Sequence, residues 1–107
     1  MIGLAVKAGK VKSGEFLTEK EVKSYHAFLV VVAGDASDAT KKKFRDMCEF
    51  YHVPMYIYGD KNSLGHAMGK EFRASLAVSD EGFAKSIRKQ LDRIENTGFQ
   101  EVDECQN

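Results

Sequence analysis

Cys48 and His52 stand four residues apart and would share one face of a helix, the spacing at which two side chains can grip one metal ion. No second Cys/His pair accompanies them. Cys48 also falls in the apolar stripe Phe44, Met47, Cys48, Tyr51, so a packed thiol is expected there. His26 and His66 stand alone and read as surface or boundary residues. Asp35, Asp38 and Asp46 suit helix capping and a solvated face better than acid–base work. The chain has no G-x-G-x-x-G, no Walker loop, no H-E-x-x-H and no G-x-S-x-G. An enzyme needs a nucleophile beside a base, paired carboxylates in a cleft or a phosphate cradle. The reading is therefore non-enzymatic, with no metal and no cofactor.

Binding chemistry is better represented. Lys7, Lys10, Lys12, Lys20 and Lys23 gather around the Gly9–Gly14 segment and the residues after it. A helix beginning near Gly14 would aim its unpaired N–H groups, and the positive end of its dipole, at whatever docks there. Lys20 and Lys23, one or two turns inside, would reach the same ligand. An anion is the natural partner, most simply a nucleic-acid backbone. The Lys41-Lys42-Lys43 run is read as a solvated helix face.

These residues must be held by a single small domain. The chain has 107 residues, of which 43% are hydrophobic and 30% charged, values that exclude disordered, collagenous and low-complexity classes. The longest apolar run, Ala27–Ala33, is too short for a membrane span and suits a buried strand. Met1–Lys10 has too short an apolar stretch for a secretory signal and no small-residue cleavage pattern, and two cysteines make no disulfide framework, so a reducing cytoplasm is the expected compartment. Net charge is zero, but all 16 Lys and Arg lie at or before Arg93, while four of the 16 acidic residues follow it. The body thus carries +4 and the tail −4. Residues 1–93 are read as the domain and 94–107 as an acidic, frayed tail; it would either compete with a polyanion or, the plainer reading, solubilise the chain.

Along the body, helix and strand alternate. Met1–Ala8 reads as the last turns of a helix, so residues preceding Met1 are expected. A brief strand precedes Ser13, and a helix follows to Ser24. Ser13 or Gly14 would start that helix; Thr18 with Glu21 forms a capping box that would start it later. Phe28–Ala33 is a continuous strand covered on both faces. Ser37 or Asp38 caps a helix ended by Val53-Pro54. Met55–Tyr58 is a strand, Gly59-Asp60 a turn, Ser63–Met68 a short helix, Ala74–Val78 a last strand, and Ser79–Glu81 caps a helix with its stripe at Phe83, Ile87 and Leu91. The pattern predicts an α/β fold with helices on both sides of a small sheet, a three-layer α-β-α sandwich. Strand order does not follow from it.

The run Ile2–Lys10, then Ser13-Gly14-Glu15, Val30–Ser37, Cys48–Pro54, Leu64-Gly65 and Ala74–Val78 resembles, in that order, the bacterial, YlxQ-type branch of the ribosomal L-seven-Ae / L-thirty-e superfamily. The resemblance implies a mixed four-stranded sheet and binding of structured RNA, in the best-known members at kink-turns, sharp bends flanked by tandem G·A pairs. It implies no DNA specificity and no membrane, and a monomer is expected. The family signature, a glycine followed by x-Asn-Glu-x-x-Lys, falls on Gly14 and Lys20, with Glu15 between glycine and motif; Phe16 and Leu17 occupy the Asn and Glu positions. An apolar side chain cannot read base edges. The resemblance therefore implies an intact phosphate-facing part, with Lys12 and Lys23 assisting, and a weakened sequence-reading part. The second family contact, the loop before the last strand, where an apolar turn packs on a flipped-out base, falls on Phe72, Arg73, Ala74 and Ser75, and Arg73 there suits a phosphate or a base. Phe72 also has a core reading. A protein-interaction module on the same fold is the alternative, and it requires Phe16 and Leu17 to form an exposed apolar patch. A late helix start at Thr18 would instead turn one of them inward.

Overall fold

Leu29, Val30, Val31 and Val32 are completely buried, and their side chains alternate between two cores. The computed structural model describes residues 2–98. In it, α1 (Ile2–Lys7), β1 (Val11–Ser13), α2 (Glu15–Lys23), β2 (Leu29–Val32), α3 (Asp38–Tyr51), β3 (Met55–Ile57), α4 (Lys61–Ala67), β4 (Ser75–Val78) and α5 (Glu81–Gly98) follow in order. The sheet order is β1-β4-β2-β3; β4 is antiparallel to both β1 and β2, while β2 and β3 run parallel. This is the expected mixed four-stranded sheet.

One face of the sheet presents Leu29, Val31, Leu76 and Val78 to Ala5 of α1, Leu64 of α4 and Ala84, Ile87 and Leu91 of α5. The other presents Val30, Val32 and Ala77 to Val22 of α2 and Phe44 and Cys48 of α3. Each fully buried Val or Leu contributes about 1.5–3 kcal/mol of transfer free energy, so two such cores hold the layers without staples. The sandwich read from the sequence is thus present. The long strand is slightly shorter than its apolar run, because Phe28 is 44% exposed, although its N–H still donates to the Val78 carbonyl at 2.8 Å.

The strands β3 and β4 are each one residue shorter than expected, and two helix boundaries shift further. Helix α4 begins at Lys61, not Ser63: Asp60 accepts from the Ser63 N–H at 2.7 Å and the Ser63 hydroxyl accepts from the Asp60 N–H at 3.0 Å, a reciprocal cap that draws Lys61 and Asn62 into the helix. Helix α5 runs to Gly98 and so includes the first residues of the segment read as a tail. The remainder of that segment, 99–107, lies outside the described residues.

Candidate nucleic-acid interface

Gly14 closes β1 and opens α2. Its N–H donates to the Ser75 carbonyl at 3.0 Å, continuing the β1–β4 ladder by one residue, and its carbonyl accepts from the Thr18 N–H at 3.0 Å. The backbone there has φ 93° and ψ 156°, a conformation that glycine supplies without strain. No side chain caps the helix, and a Cβ placed on Gly14 would meet nothing within 4 Å. The helix opening is therefore uncapped, with open space beside Gly14. Helix α2 starts at Glu15, which overturns the late start: Thr18 is fully buried and its Oγ1 accepts from the Ser75 hydroxyl at 3.3 Å.

Because α2 starts early, its apolar pair stays outside. Phe16 is 75% and Leu17 42% exposed. Lys20 is exposed one turn further on, and among the described residues no ion pair engages it. Phe16, Glu19, Lys20, Lys23 and Ser24 line one open hollow along the helix. Lys12, exposed on β1, pairs across the ladder with Ala77 and so lies on the α2 side of the sheet.

Glu15 and Lys23 are less free. Lys43 of α3 reaches across to Glu15 at 2.8 Å and to Glu19 at 2.9 Å, and Glu19 also holds Lys23 at 2.7 Å. Hydrogen bonds from Lys23 and Lys43 hold the Glu19 carboxyl down at about 2, and those to Glu15 and Glu19 raise the Lys43 ammonium. The lysine run on α3 is therefore not simply a solvated face. Lys42 pairs within its helix, with Asp46 at 2.8 Å, but Lys43 straps α3 to α2.

The second contact region sits beside the first. Arg73 Nε donates to the Ser13 hydroxyl at 2.9 Å and its Nη1 to the Phe72 carbonyl at 2.6 Å, while its backbone N–H donates to the Lys61 carbonyl at 3.1 Å. Residues 60 positions apart are thus joined at the opening of α2. The guanidinium has five N–H donors and these side-chain bonds use two. Ala74 is half-buried against the α2–α3 core, and Ser75 is fully buried with its hydroxyl on Thr18, so these two support the interface and do not face it. Phe72 is 58% exposed, which overturns its core reading. It stays outside because it sits in the loop just before the buried alternation of β4 begins.

Cys48 is buried as expected, and burial pushes its thiol up to about 11. Among the described residues no group of three His, Cys, Asp or Glu is placed to hold a metal, and no helix is long and apolar enough to cross a membrane.

An α-β-α sandwich with a bare glycine opening its second helix, and a loop before the last strand pinned beside it, defines a class. The Ribosomal protein L7Ae/L30e/S12e/Gadd45 family model matches residues 1–88, and the chain belongs to that family. Over 92 residues it is 44% identical to the RNA-binding protein YlxQ of Bacillus subtilis (strain 168), an alignment covering 86% of this chain and 92% of that protein. It is 37% identical to the RNA-binding protein YlxQ of Enterococcus faecium, covering 86% and 88%. A solved protein of unknown function from Bacillus halodurans C superimposes with a TM-score of 0.82 at 35% identity, over 85% of this chain and 92% of that one. The Giardia lamblia 15.5kD RNA binding protein superimposes with a TM-score of 0.73 at 22% identity, over 88% and 81%, and shares the fold. The family resemblance read from the sequence is thereby confirmed.

Proposed function

We propose that this chain is a non-enzymatic protein that binds structured RNA, ribosomal or of similar fold, at the opening of α2 with weakened sequence readout. The observation that carries it is the uncapped glycine start in open space, with the unpaired ammonium of Lys20 one turn away and Arg73 tied to Ser13 beside it. Family membership and the RNA-binding proteins among its relatives support it. A phosphate approaches the first-turn N–H groups without meeting a side chain, Lys20 and Lys12 neutralise neighbouring charges, and Arg73 serves an exposed nucleotide. Phosphate contacts position and base contacts specify. With Phe16 and Leu17 in the first turn, the protein discriminates poorly among kink-turns. It acts as a monomer in the cytoplasm, in company with the translation machinery; residues 1–93 carry the binding and the acidic segment after them solubilises the chain.

The test is a salt titration of binding to a kink-turn RNA. Lys20→Ala weakens binding and lowers the slope of log K against log salt by about one. An unchanged slope removes Lys20 from the interface. One observation favours a second reading, docking of a protein: the exposure of Phe16, Leu17 and Phe72. That reading predicts RNA affinity that is weak and indifferent to Lys20→Ala.

A further inference from the structure

From the helix opening, the outer face of α2 carries a pattern that continues past the phosphate seat. Phe16, Lys20, Lys23 and Ser24 recur at helical spacing and line a hollow of about 370 Å³, open to solvent. At the far end Tyr25 is 74% exposed and packs edge-on against Tyr51, centroids 5.3 Å apart; Tyr51 in turn meets Phe50, itself 73% exposed, at 5.0 Å. Tyr25 adopts φ 64°, the left-handed conformation that glycine or asparagine takes more cheaply after a helix. A ring is kept there, and kept outside, against a backbone preference.

Resting on the RNA reading above, we infer that the outer face of α2, from Phe16 to Tyr25, is a track for single-stranded RNA running out of the folded element seated at Gly14. Bases stack on the Phe16 ring at one end and on the Tyr25 ring, braced by Tyr51, at the other; the ammonium of Lys20, which no ion pair engages among the described residues, meets the phosphates between them. The arrangement suits a strand better than a protein. The two rings are separated by a charged stretch of roughly 12 Å along the helix. They offer two separate stacking faces, whereas a protein partner needs one continuous apolar patch to dehydrate. Glu19, the acid on this face, has its charge taken up by Lys23 and Lys43, so the stretch is not repulsive to phosphate. A π-face accepts any base, so the track is sequence-tolerant.

The test compares a blunt kink-turn RNA with the same RNA carrying a six-nucleotide uridine extension on either strand, using the full chain. The extension on one strand tightens binding about tenfold. Tyr25→Asn abolishes most of that gain while leaving the blunt RNA bound as before; Asn keeps the left-handed backbone, so loss of fold is not the cause. Phe16→Trp retains the gain and, as the chain's only tryptophan, is quenched more by the extended RNA than by the blunt one. Tight binding of blunt RNA with no gain from either extension overturns the track and leaves the seat standing. Failure to bind either RNA, with the variants folded, overturns both.

Discussion

Replacing Phe16 and Leu17 by Asn and Glu would put two hydrogen-bonding side chains into the first turn of α2, at positions 75% and 42% exposed. Neither original side chain supports the core, so the double substitution leaves stability within about 0.5 kcal/mol. Affinity for a kink-turn RNA, measured by gel shift, rises about tenfold as base-edge contacts return; no gain means the site has diverged beyond these two residues. Lys43 makes a different kind of prediction. The Glu19 carboxyl, held at about 2 against an ordinary 4.5, favours the folded state fully above about pH 4.5, and that contribution is lost as pH falls toward 2. Lys43→Met therefore costs about 0.5–1 kcal/mol at neutral pH, a modest figure because both partners are partly solvated. Thermal melts followed by circular dichroism show the gap to the native chain closing near pH 2. A gap that persists there assigns the loss to packing of the lysine stem. That Gly14 opens α2 was legible from the spacing of the family signature. The Lys43 strap was not, because Glu15 lies 28 residues away and the meeting depends on how α2 and α3 cross.

At the scale of elements, β2, α3 and α5 were readable because each carries an uninterrupted pattern: a continuous apolar run in the strand, a single stripe in each helix. The start of α2 was not, since Thr18 and Glu21 make an equally good capping box in sequence; the burial of Thr18 on Ser75 decides it. Strand order was also illegible, because β1 and β4 pair across more than half the chain and no local signal records a partner. The loop after α4 depends on a close approach of the same hidden kind. A Cβ at Gly65 would stand 2.7 Å from the Glu71 carbonyl carbon and 2.8 Å from the Phe72 nitrogen, both backbone atoms. Gly65→Ala must push that loop outward, carrying Phe72 and Arg73 with it. The expected outcome is a loss of about 1–3 kcal/mol in chemical denaturation together with weaker RNA binding, because the Arg73 bond to Ser13 is stretched. Stability lost with RNA affinity unchanged would take that loop out of the interface.

Over the whole molecule, a net charge of zero disguises a body of +4 and an acidic end, and it is the local field at the opening of α2 that a phosphate meets. Net charge therefore gave no hint of the partner; the lysine cluster around Gly14 pointed to an anion, and ordered motif blocks narrowed it by linking Gly14 and Arg73, which 59 residues separate. What joins them physically is β4, the central strand that pairs with both β1 and β2. Its position has a consequence for how the protein is made. While a ribosome is still extending the chain, β1 is an edge with no neighbour, and the carbonyl of Ser75 that anchors Gly14 has not yet emerged. A chain that stops short of β4 consequently lacks the bond that fixes Gly14, and the opening of α2 takes its final place only when the last strand slots into the middle of the sheet.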